Sequence, residues 1–363
     1  MEDYLFIIIS AGIFPFIVNL LLTPVLLRMA HRYKWYDTVD ARKVHQGNIP
    51  RLGGVGIFLT SVFIIVLFLL VLEYEKFFEL VFRKQYLSIV IACMVIHVVG
   101  LLDDFFDLKP QYKLYGQIIA ASIFIFAGNS FREIYIPFTE SNFELSWFGP
   151  IITFIWIIGV TNAINLIDGI DGLSGSLSAI AALFFGLAAF SIENYNAAFI
   201  SMAIFGALLS FLLFNLPPAK IFMGDSGSLF IGFVLSTLPI LTFKDVNTSF
   251  ALPYGITLLI IPILDTFAAI IRRTRKRMPF HVADKQHIHH KLLTFGLSNH
   301  AILILLTAIS AFLSYFAFFW VRFQNNVAAS ILIVLWVLSI VFFLVLHTIN
   351  RRHEKAQKNP ADM

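Results

Sequence analysis

Charge is what this 363-residue chain has least of. Lys, Arg, Asp and Glu make up 13% of it, about half the ~25% of an ordinary soluble domain. By contrast, 59% is apolar and Phe alone accounts for 40 residues. A soluble fold of this length has too little interior to hide that much apolar surface. Cysteine is nearly absent. The single Cys93 sits inside an apolar run, which excludes a disulfide framework and a cysteine-built zinc site. No low-complexity linker and no repeat with a period of about 20–50 residues divides the chain. The basic excess is small as well: a net charge of +4 gives nucleic acid little to bind, although the pI of 9.1 would invite that reading.

What is present is a series of long hydrophobic runs. A bilayer-spanning helix takes ~20 mostly apolar residues, and eleven candidates meet that description. They are 4–27, 54–72, 86–102, 112–128, 148–167, 173–192, 196–215, 226–243, 250–271, 301–321 and 327–349. The fourth is the weakest, being short and carrying Lys113 and Gln117. The acidic start Met1-Glu2-Asp3 and the length of the first run argue against a cleavable signal. The expected fold is an all-α polytopic membrane protein. Residues 1–349 would form one integral membrane domain, followed by a basic tail at 350–363. Residues 131–147 alternate weakly and predict a small hairpin.

Eleven spans place the termini on opposite sides. The loops after odd-numbered spans, with the basic residues at their boundaries and the C-terminal tail, hold twenty of the 26 Lys and Arg. The positive-inside rule makes those loops cytoplasmic, with the N-terminus outside and the C-terminus inside.

Four polar clusters fall on that same side. Asp103, Asp104 and Asp107 follow span three; Asn162, Asn165, Asp168 and Asp171 close span five. Asp225 precedes span eight in Met-Gly-Asp-Ser-Gly-Ser, and His287, His289 and His290 lie in the loop after span nine. Each has a plain structural reading. Asp225 before Ser-Gly-Ser has the makings of a helix N-cap. Asp103 and Asp104 end a helix, where the dipole disfavours carboxylates, so a stabilising role suits them poorly. Asp103 and Asp107 share a face if that helix continues, and their repulsion then calls for a cation. Gly169 and Gly172 argue that the helix carrying Asn165 and Asp168 breaks there, which lets a ligand approach the backbone.

Carboxylates and an Asn amide, without cysteine or a His-Glu-x-x-His helix, suit a hard cation such as Mg²⁺ or Mn²⁺. The histidines at i, i+2 and i+3 lie among Arg272, Arg273, Arg275, Lys276, Arg277, Lys285 and Lys291, surroundings that fit anion binding better than zinc. Lipid anchoring accounts for part of that basic run. Asp265 lies about ten ångströms inside span nine, counting ~1.5 Å per residue back from Arg272. At that depth a carboxylate is either functional or paired.

With these residues laid out, the chain resembles the polyprenyl-phosphate N-acetylhexosamine-1-phosphate transferases (glycosyltransferase family 4). The matching segments are Pro50-Arg51-Leu52-Gly53-Gly54, Leu102-Asp103-Asp104, Asn162 to Leu173, Phe222 to Ser228 and Asp284 to His290. They run in family order over residues 40–290. The last motif and the third acid, Asp107, resemble the WecA/TagO branch more than MraY, which carries three consecutive histidines. The resemblance implies transfer of GlcNAc-1-phosphate from UDP-GlcNAc to undecaprenyl phosphate with release of UMP. That would be the first membrane step towards O-antigen, common antigen or teichoic acid, on the cytoplasmic face of the bacterial inner membrane.

The resemblance also implies roles for residues. Asp225 would ligate Mg²⁺ (or Mn²⁺), aided by Asn165. Asp103, Asp104 and Asp168 would be catalytic, the first two orienting or deprotonating the lipid phosphate. Gly169, Asp171 and Phe222 would hold uracil, and Asn162 would also contact substrate. His289 and His290, with His287, Lys43 and His45, would bind phosphate or sugar. The lipid phosphate is mostly dianionic already, so direct attack is favoured over an aspartyl-phosphate intermediate. The partners are then a nucleotide sugar, a lipid phosphate and the bilayer, with no nucleic acid; a homodimer is left open. The rivals are MraY-like transfer of phospho-MurNAc-pentapeptide and, more remotely, transport. CDP-alcohol phosphotransferases need Ala-Arg after the first Asp-Gly, where this chain has Leu173-Ser174.

Overall fold

The computed structural model describes residues 2–36, 49–72, 84–139, 141–244, 248–275 and 287–358. Every predicted span coincides with a helix: α1 (Glu2–Tyr33), α2 (Gly53–Leu72), α3 (Lys84–Phe106), α4 (Pro110–Phe126), α5 (Phe148–Ile167), α6 (Leu173–Ser191), α7 (Tyr195–Asn215), α8 (Gly224–Phe243), the pair α9 (Ala251–Leu258) and α10 (Ile260–Arg275), and, after the short α11 (Ile288–Thr294), α12 (Asn299–Phe323) and α13 (Asn326–Lys358). The predicted hairpin is there too. Strands β1 (Glu133–Ile136) and β2 (Ser141–Glu144) pair antiparallel, with Glu133 opposite Glu144 and Ile136 opposite Ser141.

The fold class is therefore all-α and polytopic, but the spans are not eleven equal crossings. Among the described residues, eight helices are long and apolar enough to cross a membrane, or nine if the α9–α10 pair counts as one. The ninth span, read from the sequence as continuous, is broken: its two halves meet at Leu259 with a bend of 73°. Pro262, three residues into α10, supplies the cause. It has no N–H to give the carbonyl four residues back, and its ring collides with that carbonyl. Ile263 resumes the ladder by donating to Leu259 O at 3.1 Å. α4, at seventeen residues, is shorter than a full crossing.

α8 is the shaft of the bundle. Every residue from Ser226 to Phe243 is buried. With no hydrophobic drive between helices in lipid, small residues that allow close approach do the packing. The serines and glycines of α8 meet α3 and α5, where Trp156 Nε1 donates to Ser236 O at 2.8 Å. α13 is instead lipid-facing along most of its length, with Val334, Val337, Leu338, Val341 and Leu344 exposed. The result brings the last turn of α3, the end of α5 and the first turns of α6 and α8 to one end of the bundle.

Candidate active site

The acids meet where these helix ends converge. Lys113, one turn into α4, places its Nζ 3.1 Å from Asp103 Oδ2 and 2.7 Å from Asp225 Oδ2. Asn165 donates to Ser228 Oγ at 2.8 Å and also hydrogen bonds to Asp225. Asp168 caps the C-terminus of α5, close enough to feel the charges of Asp225, Asp171, Asp104 and Arg51. Clusters one, two and three of the sequence thus form one site.

The capping role expected of Asp225 belongs to another residue. Asp225 lies inside the first turn of α8. The cap comes from across the bundle: Asp104 Oδ1 accepts from Asp225 N at 2.7 Å, and its Oδ2 accepts from Ser226 N at 2.9 Å. A carboxylate suits that place, because the first N–H groups of a helix are unpaired and its dipole is positive there. Asp104 thereby offsets the unfavourable end of α3 with the favourable start of α8.

Asp107 turns away. α3 ends at Phe106, and Asp107 sits in the left-handed region (φ 46°) with its N–H on Asp103 O at 2.9 Å. It is exposed, so the continuing helix that would have stacked it on Asp103 does not exist.

The break predicted at the Asp-Gly pairs is present. Gly172 has φ +78° and donates its N–H to Asn215 Oδ1 at 3.0 Å, while Asp171 Oδ2 accepts from Ala219 N at 3.0 Å. These bonds fix the loop after α5 to the one before α8. Asn162 points elsewhere: its amide exchanges hydrogen bonds with Gln117 at 2.7 and 3.2 Å, joining α4 to α5. Phe222 is half-buried and forms a short ladder, donating to Pro50 O while its own carbonyl accepts from Gly53 N. That ladder brings the Pro-Arg-Leu-Gly-Gly segment to the site. Lys43 and His45 lie outside the described residues.

The histidine cluster reaches the same place from α11. A side chain on Gly169 would overlap the His289 ring, and the His290 ring lies against His289 with centroids 4.3 Å apart and planes tilted by 45°. His289 is 1% exposed, and neither ring nitrogen has a hydrogen-bond partner among the described residues. Burial, reinforced by the charge of His290, pushes its pKa down to about 3. The ring is therefore neutral at physiological pH, able to donate one hydrogen bond and accept another.

Two features escaped the sequence reading. Lys113 was visible only as a blemish on span four, although an ionisable residue inside a span is by itself a functional signal. Gly100 lets the end of α3 lie on the start of α8: an added Cβ would sit 2.5 Å from Asp225 O and 2.6 Å from Ser226 Cα. Both are backbone neighbours with no way to yield. Gly100→Ala is expected to cost about 1–3 kcal/mol and to move Asp225 away from Lys113, to be read by thermal unfolding in detergent alongside turnover. Wild-type behaviour in both would show that the contact is slack.

Asp168 gives the site a pH signature. Burial pushes its carboxyl up to about 7; Asp225, Asp171 and Asp104 act in the same direction and Arg51 against it. The native state thus holds this proton more tightly than the unfolded chain, where the group titrates near ~3.9. The associated stability is complete below about pH 4 and is lost as pH rises through about 7. Asp168→Asn in EDTA is expected to raise Tm at pH 8 and change it little at pH 4. An equal shift at both would refute the assignment.

The donors fit a hard cation. Among the described residues no group of three or more His, Cys, Asp or Glu forms a cage on its own. Mg²⁺ does not need one: it takes one or two carboxylates and completes its shell with water and substrate phosphate. Asp225 and Asp103, converging on a cation at hydrogen-bond distance, with the Asn165 amide alongside, are such a set.

Fold and site together define a polytopic membrane protein with an acidic, histidine-flanked centre at one end of its bundle, a setting for phosphoryl-type chemistry. Residues 86–243 match glycosyl transferase family 4. The chain is 32% identical over 299 residues to the probable undecaprenyl-phosphate N-acetylglucosaminyl 1-phosphate transferase of Bacillus subtilis strain 168, covering 82% of this chain and 81% of that one. It is 31% identical over 327 residues to the decaprenyl-phosphate N-acetylglucosaminephosphotransferase of Mycolicibacterium smegmatis, covering 84% and 80%. It is 30% identical over 251 residues to the phospho-N-acetylmuramoyl-pentapeptide-transferase of Bacillus subtilis, covering 65% and 75%. The chain belongs to glycosyl transferase family 4 and is an enzyme of the transferase class.

Proposed function

We propose that the protein transfers GlcNAc-1-phosphate from UDP-GlcNAc to undecaprenyl phosphate, releasing UMP, at the cytoplasmic face of the bacterial inner membrane. The observation that carries this reading is the Asp103–Lys113–Asp225 junction, with Asn165 and Asp168 beside it, in a chain whose relatives are named as GlcNAc-phosphate transferases over four-fifths of their length. An oxygen of the lipid phosphate attacks the phosphorus bearing the sugar. The bond from that phosphorus to the UMP oxygen breaks, and UMP leaves with the electron pair.

Asp225 and Asn165 would hold Mg²⁺, which when bound neutralises charge on the diphosphate. Lys113 supplies a fixed positive charge to the incoming phosphate. Asp103 orients Lys113. Asp104 holds the start of α8 so that Asp225 keeps its place. The neutral His289 offers hydrogen bonds to sugar or phosphate without a charge that would have to be desolvated.

The relatives named as phospho-N-acetylmuramoyl-pentapeptide-transferases favour a second donor. One assay separates the two. Purified protein with Mg²⁺ and undecaprenyl phosphate is expected to yield UMP and lipid-linked GlcNAc from UDP-GlcNAc, and no lipid product from UDP-MurNAc-pentapeptide. The opposite pattern would replace the GlcNAc reading.

A further inference from the structure

Asp265 is 1% exposed, six residues past the bend in the ninth span. Both oxygens are used, and both partners come from the start of α11. Asp265 Oδ2 lies 2.7 Å from His287 Nδ1, and Oδ1 accepts from Ile288 N at 2.8 Å. A carboxylate that only accepts fixes the imidazole with its proton on Nδ1 and leaves Nε2 as an acceptor, as outer-shell carboxylates do for metal-bound histidines. The second bond satisfies a backbone N–H in the first turn of α11. From that anchor, α11 carries His289 to within 5.9 Å of His287, the rings nearly parallel at 6°. It sets His289 against Gly169, with neither ring nitrogen hydrogen-bonded among the described residues. Helix stability alone needs only the bond to Ile288. The bond to His287 locks a ring that is itself buried beside the orphaned one.

We propose that Asp265 is a positioning residue for the nucleotide sugar: its carboxylate clamps His287 and the start of α11, and so places His289 at Gly169 to meet the donor. This rests on the reading of the site as a nucleotide-sugar transferase. Asp265→Asn keeps an acceptor for Ile288 N but turns an NH₂ donor toward His287 Nδ1, so it removes the charged acceptor that holds the proton there, weakens the hold on the ring and spares the helix start. The expected result is a KM for UDP-GlcNAc raised about tenfold or more, with the KM for undecaprenyl phosphate and the Tm nearly unchanged. A merely structural Asp265 would lower Tm and the active fraction and leave both KM values alone.

A substrate-free readout separates the proposal from the functional reading. Diethyl pyrocarbonate modification of His289, followed by mass spectrometry, is slow in the wild type because the ring is buried, and is expected to quicken severalfold in Asp265→Asn. Where that variant does not fold, His287→Leu, which retains the clamp on Ile288, is expected to show the same quickening. Faster modification together with no turnover of UDP-GlcNAc by the wild type would overturn the functional reading and leave the clamp standing. Unchanged modification and an unchanged KM for UDP-GlcNAc would overturn the clamp.

Discussion

Asp225→Ala is expected to abolish UMP release, lowering turnover by about 10³-fold or more, the scale reached when a single preorganised electrostatic partner of a transition state is lost. Asp225 is the junction of the site, bonded to Lys113 at 2.7 Å and to Asn165, with its backbone N–H on Asp104. Removing the side chain leaves that backbone bond intact, so α8 keeps its cap. It also removes a negative charge from beside Asp168. The fold should therefore survive, and Tm in EDTA should stay near the wild-type value while activity disappears. Near-normal activity would sink the assignment of Asp225 to the proposed Mg²⁺. UMP released without lipid acceptor, with phospho-GlcNAc held on Asp103 or Asp104, would replace direct attack by a covalent route.

Lys113→Met is expected to separate the electrostatic upkeep of the site from its chemistry. The ammonium lies between two carboxylates, one of them well buried. Methionine keeps most of the stem and removes the charge, so Asp103 and Asp225 are left facing each other. Stranding such groups costs about 1–3 kcal/mol. Tm in EDTA should fall accordingly. If the proposed Mg²⁺ binds these carboxylates, millimolar Mg²⁺ should restore more Tm in the variant than in the wild type, because the ion no longer competes with an internal ammonium. Turnover should remain low even with the ion present, since the positive charge offered to the acceptor phosphate is gone. A Tm insensitive to both the substitution and Mg²⁺ would show that the ion pair contributes nothing to the folded state.

The helices were legible because a span is a local property: twenty apolar residues announce themselves wherever they fold. The break at Leu259 was missed because Ile260-Ile261-Pro262-Ile263 reads as uninterrupted hydrophobicity, and only the backbone chemistry of Pro262 says otherwise. At the site, the residue types and the shared side of the membrane could be read from Asp103, Asp168, Asp225 and His289. Their division of labour could not. Asp104 caps a helix that begins 120 residues later, and nothing near Leu102-Asp103-Asp104 distinguishes the capping acid from the one facing Lys113. Asn162 looked like a ligand-binding amide until Gln117, a residue of another helix, took both of its ends. Asp265 was flagged by its depth alone; its partner stands 22 positions away, beyond a turn that no periodicity encodes.

The enclosure of α8 has a consequence for the bilayer itself. A helix buried from Ser226 to Phe243 has no lipid-facing length to match, so changes in membrane thickness tilt and press the outer helices and leave this one without a direct load. Asp225 rides on the first turn of that insulated helix. Its distance from the membrane surface is set by protein contacts at Gly100, Asp104 and the Pro50–Gly54 ladder. An enzyme of the proposed activity, which brings one water-soluble reactant to one lipid-borne one, would thus fix the height of its reaction centre from within.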